Sequence, residues 1–315
     1  MTFEEFIAEW NDEKDFIKVC TSGSTGIPKE IKLDKNCVRS SAERTNSFFG
    51  LSKTSRFHSC VSPDYIGGKM MAVRAAIVKG KLTWETPSNN ILSELGINEN
   101  IDLLAVVPSQ MISLMGKLEK KERLPKIKNI IIGGSPIHPD LRKEIEESGL
   151  NAYETYGMTE TASHIALRKV SYEEIPFKVF SGIKVSLNKQ GCLNIKFPDG
   201  EEIRTKDLAE LISEDEFFIK GRVDDIIISG GKKIHPLELE KKLSHLISGN
   251  YYFKGIPDVK WGEKLVLIIE GKESDFNQTD LRKRMETILE KWQLQKKILF
   301  RDKLARTPNG KIIRK

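Results

Sequence analysis

The sequence predicts an α/β fold: a large N-terminal domain with a mostly parallel sheet, helices and a β-meander, followed by a small α+β C-terminal domain. Three observations carry this. From residue 15 to about 157, short β-rich runs alternate with longer helical patterns, an order that argues for parallel strands joined by covering helices. Beyond Pro176 the turn-forming stretches Asn188-Lys189-Gln190-Gly191 and Pro198-Asp199-Gly200 separate short apolar runs, as in a meander. After Asp224 a compact succession of strand, helix, two strands, helix and strand follows.

Taken in order, residues 16–20, 56–61, 81–84, 101–107, 127–132 and 151–155 are the strands expected in the first domain, each short and apolar. Between them residues 35–49, 69–79, 109–121 and 139–147 have helical spacing, and Pro108 and Pro139 stand where a first-turn proline belongs. Residues 183–187 and 192–197 form the meander. In the final unit, 226–229, 251–256, 264–270 and 297–300 read as strands, and 236–247 and 279–292 as helices. The expected domains are therefore 1–223 and 224–315.

A chain of 315 residues, 39% hydrophobic and 30% charged, has room for two globular domains with a sizeable core. Its net charge of +6, from 51 basic and 45 acidic residues, suits anionic small molecules. No basic stripe with interleaved aromatics is present, which argues against nucleic acid as a partner. The first residues are acidic where a signal peptide carries cations, and no apolar run approaches the roughly 18 residues of a membrane span. The expectation is a cytoplasmic protein. Cysteines 20, 37, 60 and 192 lack CxxC spacing and read as buried or incidental thiols in a reducing compartment.

Several short segments carry chemistry. In Thr21-Ser22-Gly23-Ser24-Thr25-Gly26-Ile27-Pro28-Lys29, glycines let backbone N–H groups converge while hydroxyls and a lysine add donors, a nest suited to phosphate. It lacks Walker A spacing. In Tyr156-Gly157-Met158-Thr159-Glu160 a ring can stack on a base, Thr159 can bond a phosphate oxygen, and Glu160 can hold Mg²⁺. Read alone, Thr159 and Glu160 also suit the first turn of a helix. Asp207, after Arg204-Thr205, can accept both hydroxyls of a ribose, and Arg222 can meet the same sugar or a phosphate.

The order and wording of these segments resemble the adenylate-forming superfamily: acyl- and aryl-CoA ligases, peptide-synthetase adenylation domains and luciferases. The likeness runs over roughly residues 19–315 and rests on TSGSTGxPK, YGMTE, RTxD, GRVDDxIxxGG and TPNGK together. It implies two half-reactions, in which a carboxylate and MgATP give an acyl-adenylate and pyrophosphate, and a thiol such as coenzyme A then displaces AMP. It further implies that Ser22, Gly23, Ser24, Thr25, Gly26 and Lys29 cover the β- and γ-phosphates. Gly133, Gly134 and Ser135 line the adenine, with Tyr156 and Gly157 beside it. Thr159 and Glu160 take the phosphate and magnesium, Asp207 and Arg222 the ribose, and Lys311 reaches in from a mobile C-terminal lid, 224–315, hinged at Asp224. A lysine delivered as charge gathers on the α-phosphate stabilises the transition state more than the ground state. Gly230-Gly231 would let the thiol approach.

Only about twenty residues precede the phosphate loop, far fewer than in typical relatives. The expectation drawn from this puts monomer stability and the closure of the acyl pocket on one side in question, with a homodimer contact or another partner able to compensate. Tyr156 to Arg168 and the stretch around Tyr65 most resemble o-succinylbenzoate-CoA ligases, especially short bacterial forms. An aromatic diacid needs a donor for its second carboxylate, and Lys69, Arg74 and His164 are the candidates, with Tyr65 at the pocket mouth. Other readings left open are a different acyl- or aryl-acid ligase, a free-standing adenylation domain loading a carrier thiol, and a non-catalytic nucleotide-binding regulator.

Overall fold

The computed structural model describes residues 1–20, 29–93, 95, 96, 98–307 and 312–314. The chain divides into two compact units, Met1–Ile183 and Lys184–Thr307, the latter joined by the residues from Ile312 on. The expected α/β class holds.

The first unit opens with helix α1 (Phe3–Trp10), started by a capping box. The Glu5 N–H donates to Thr2 Oγ1 over 3.1 Å and the Thr2 N–H to Glu5 Oε2 over 2.7 Å. Strands β1 (Phe16–Cys20) and β2 (Glu30–Asp34) pair antiparallel as a separate ribbon. This corrects the expectation that residues 16–20 belong to the parallel sheet: the chain returns on itself too soon for a crossover helix to intervene. The Asp34 carboxylate then accepts from the Asn36 and Cys37 N–H groups and starts α2 (Lys35–Phe49).

Next come β3 (Arg56–Ser59), α3 (Ile66–Val78), β4 (Lys81–Trp84), β5 (Asn100–Ile101), β6 (Leu103–Val106), α4 (Pro108–Glu119), β7 (Lys126–Ile127), β8 (Ile130–Ile132), α5 (Pro139–Glu147), β9 (Ala152–Met158), β10 (Ser163–Lys169) and β11 (Phe177–Val179). The sheet of this unit has the order β11-β10-β9-β8-β6-β3-β4, parallel from β9 to β4 and antiparallel at β10 and β11. Strand alternation puts Leu104, Val106, Ile130, Ile132 and Ala152 on one face, against Met111 and Leu114 of α4 and Leu141 and Ile145 of α5. Helices α2 and α3 cover the opposite face, and α1 with the β1-β2 ribbon packs outside α3. Each fully buried aliphatic side chain contributes roughly 1.5–3 kcal/mol.

The second unit holds an antiparallel sheet of order β12 (Lys184–Leu187), β13 (Cys192–Lys196), β14 (Glu202–Leu211) and β15 (Glu216–Arg222). A single 3₁₀ turn, Val223–Asp225, leads from it into a different sheet. That sheet contains β16 (Ile227–Ser229), β17 (Lys232–Ile234), β18 (Tyr251–Asp258), β19 (Gly262–Glu270) and β20 (Lys297–Arg301), in the order β17-β16-β19-β18 with β20 parallel to β19. Helices α6 (Pro236–Leu243) and α7 (Gln278–Glu286) cover it, closing a core that includes Leu239, Phe253, Leu267 and Met285. Helix α7 stops well short of the expected 292. Among the described residues no helix is long and apolar enough to cross a membrane.

Candidate active site

In an open α/β sheet the carboxyl ends of the parallel strands are where backbone groups are left for a ligand. Two of the expected segments meet there. Gly133-Gly134-Ser135 follows β8, while Tyr156 and Gly157 lie near the end of β9, its parallel neighbour. A Cβ on Gly133 would lie 2.8 Å from Thr155 Oγ1, so the loop can run this close to β9 only without a side chain.

A buried ion cluster fixes this edge from below. Glu154 of β9 accepts from Arg142 Nη2 at 2.5 Å and from Arg168 Nε at 2.8 Å, and its other oxygen accepts from the Ile137 N–H at 3.2 Å. The exit of the Gly133–Ser135 loop is thereby tied to the strand bearing Tyr156. Arg168 in turn stacks over Phe177 at 4.1 Å, and Phe177 lies 5.8 Å from the Tyr156 ring. The motifs alone did not reveal Glu154, Arg142 or Arg168. Their signal is a lone acid amid apolar strand positions, with arginines on the helix before and the strand after.

Thr159 and Glu160 lie in the turn between β9 and β10, not in a helix. The turn is held from inside: the buried Thr161 hydroxyl accepts from the Met158 N–H at 2.9 Å, and Ser41 of α2 donates to the Ala162 carbonyl at 2.7 Å. Ala162 and Ser163 have φ of +48° and +82°, a left-handed pair that costs about 1–2 kcal/mol per residue. Gly157 is required by the hairpin itself, since a Cβ there would lie 2.2 Å from the Ser163 carbonyl oxygen. Glu160 is exposed and Thr159 half-exposed at the tip. A carboxylate and a hydroxyl so presented are hard oxygen donors of the kind Mg²⁺ takes.

Below the tip the hairpin meets α3. Arg74 is 1% exposed; its Nη2 lies 3.4 Å from Ser163 Oγ and 3.5 Å from His164 Nδ1, and its Nε has no hydrogen-bond partner among the described residues. No ion pair joins it to a carboxylate among those residues, and burial holds the guanidinium down to about 9. His164 Nε2 lies 3.0 Å from Thr45 Oγ1, and burial, with the charges of Arg74 and Arg44, keeps the ring well below its ordinary pKa and hence neutral. Lys69 is drawn elsewhere: its ammonium lies 3.4 Å from Glu9 Oε2 and 4.2 Å over the Phe6 ring, both on α1. Tyr65 is half-buried at the N-cap of α3.

In the second unit Asp207 and Arg222 are register partners on β14 and β15, joined at 2.8 Å. The guanidinium so aims the carboxylate. Asp224, exposed in the 3₁₀ turn, accepts from Lys206 at 2.9 Å. Gly230 and Gly231, with φ of +58° and +76°, form the two-residue turn of the β16-β17 hairpin, whose positive angles favour glycine. Ser22, Gly23, Ser24, Thr25, Gly26 and Lys311 lie outside the described residues, whereas Lys29 is exposed.

The sheet carries its glycine loop and acid-tipped hairpin within residues 5–188, which match the profile of the AMP-binding enzyme family, and the chain belongs to that family. Within that adenylate-forming group it resembles 2-succinylbenzoate–CoA ligases. It is 28% identical to the ligase of that name from Listeria monocytogenes over 97% of this chain and 70% of that protein. An acyl-CoA synthetase-like protein from Dyadobacter fermentans is similar at 30% identity and a TM-score of 0.65, covering 99% of this chain and 91% of that one. The o-succinylbenzoate CoA synthetase of Bacillus subtilis, solved with its acyl-adenylate intermediate, shares the fold at a TM-score of 0.79 and 23% identity, over 94% of this chain and 67% of that one.

Proposed function

We propose that this protein is a cytoplasmic, MgATP-dependent acid–CoA ligase that converts o-succinylbenzoate to o-succinylbenzoyl-CoA in menaquinone biosynthesis. The observation that carries the substrate is Arg74. A buried guanidinium without a carboxylate partner among the described residues is costly, and an anion brought by the substrate would offset that cost. A diacid can spend one carboxylate on adenylation and present the other to Arg74 and Ser163. Neutral His164, unable to compete as a cation, orients that corner. The names of the relatives agree with this reading.

The remaining roles follow from the chemistry of the side chains. Tyr156 stacks on adenine beside Gly133–Ser135, and Asp207, aimed by Arg222, takes the ribose hydroxyls. Thr159 holds a phosphate oxygen. Glu160 is the residue to hold magnesium, which would neutralise phosphate charge. Lys311 supplies the cation for adenylation, and the sheet change at Val223–Asp225 supports a lid, 224–315, that turns at Asp224.

The test is a panel of acids, each assayed for pyrophosphate exchange into ATP and for CoA consumption. The proposal expects o-succinylbenzoate to lead both assays. Exchange with a monocarboxylic acid but none with the diacid would refute the substrate; neither activity from folded protein would refute the ligase.

A further inference from the structure

A second cluster, away from the hairpin, joins the ends of β3 and β4. A ring nitrogen of His58, Cys60 Sγ and a Glu85 oxygen all lie within 4.8 Å of one another, and the three residues are 1%, 0% and 5% exposed. The contacts around them bear on the imidazole tautomer. Thr83, the register partner of His58, has one hydroxyl proton and can give it to the Phe57 carbonyl at 3.2 Å. With its proton there, its oxygen accepts from His58 Nδ1–H, 2.9 Å away, and Nε2 carries the lone pair; a proton on Nε2 would instead face Glu85.

That lone pair faces another. Glu85 Oε1 is satisfied by the Leu92 N–H at 2.8 Å, but Oε2 has no hydrogen-bond partner among the described residues and lies 3.9 Å from Nε2, which has none either. In that tautomer two buried acceptors lie 3.9 Å apart, with the Cys60 thiol beside them as a proton source. A cysteine sulfur beside them completes a nitrogen, sulfur and oxygen donor set. Ligand atoms on a tetrahedral zinc ion, at bond lengths of about 2.0–2.3 Å, lie roughly 3.5 Å apart, so small side-chain rotations close the set.

We propose that His58, Cys60 and Glu85 bind a divalent transition-metal ion of borderline softness, zinc foremost, separate from any magnesium used with ATP. A thiolate and a carboxylate balance its two charges, and a small molecule such as water fills the fourth position. Thr83 acts behind His58 as the group that fixes the ligating nitrogen. The ion would fasten the segment after β4 to the end of β3.

Metal-depleted full-length protein titrated with Co²⁺ tests this. The expected result is one equivalent bound with a thiolate-to-cobalt charge-transfer band, displaced by Zn²⁺, and a rise in melting temperature on adding Zn²⁺. Cys60→Ser should abolish the band and Glu85→Gln should weaken binding at least tenfold, whereas Cys20→Ser should change neither. Absence of stoichiometric uptake by the wild type, or a band that survives Cys60→Ser, would overturn the proposal. Should Cys60→Ser not fold, X-ray absorption of the zinc-loaded wild type decides: sulfur and nitrogen in the coordination shell support the site, and a shell without sulfur refutes it.

Discussion

Replacing Arg74 by methionine separates substrate recognition from stability, because the two are predicted to move in opposite directions. Burial lowers the guanidinium to about 9, and at about 1.4 kcal/mol per tenfold this desolvation costs on the order of 4–5 kcal/mol at neutral pH. Methionine of similar length removes that cost, so the unliganded variant should be as stable as the wild type or more so, by up to a few kcal/mol in denaturant unfolding. The same change deprives the bound diacid of its charged partner. Truncating one member of a buried charged pair costs about 2–5 kcal/mol, so kcat/KM for o-succinylbenzoate should fall roughly thirty-fold to a few thousand-fold. An aromatic monocarboxylic acid has no second anion to lose and should be adenylated equally well by both proteins. The assay is therefore a ratio, kcat/KM for diacid over monoacid by pyrophosphate exchange. An unchanged ratio would refute the reasoning, even if both rates fell.

Lys311→Ala should slow adenylation by on the order of 10²-fold or more while supplied acyl-adenylate still reacts with CoA. Equal damage to both half-reactions would contradict the role given to that lysine. Glu154→Gln leaves Arg168 and Arg142 with Glu174, 2.8 and 3.9 Å away, and should destabilise the protein by about 1–3 kcal/mol in chemical denaturation. His164 is held neutral in the folded state but takes a proton near pH 6.5 when unfolded. The unfolded chain thus binds more protons below that pH, and stability should fall on acidification by up to about 1.4 kcal/mol per pH unit more than in His164→Gln. Parallel stability–pH curves for the two proteins would show the ring to be charged when folded.

Where local chemistry decides an element, the sequence was readable. Helix α2 spans the expected residues because Asp34 caps its start, and α5 begins at Pro139 as its ring dictates. Helix α1 is not among the expected elements because the acidic residues near the N-terminus read there only as the opposite of a signal peptide, whereas Thr2 and Glu5 form its capping box. Strand β10 escaped because His164 and Arg168 break an apolar run, although both are buried by partners distant in the chain. The same limit applies to the site. The motif glycines do lie at the strand ends, but Gly133 and Gly157 also answer local sterics there, against Thr155 and the Ser163 carbonyl, so a motif alone does not separate a ligand role from a packing one. Which cation lacks an acid depends on tertiary packing: Lys69 and Arg74 stand five positions apart on α3, yet α1 supplies an acid only to the first.

Under the proposed function, the clamp on Glu154 bears on how a purine would be caught. With the Gly133–Ser135 loop leashed through Ile137 to the strand that carries Tyr156, a base bound there as proposed would encounter a surface whose shape is already set, and little disorder would be surrendered at that end of the nucleotide. Affinity for adenine should then persist even in fragments such as adenosine, and tightening with the triphosphate would report on the phosphate-facing groups alone.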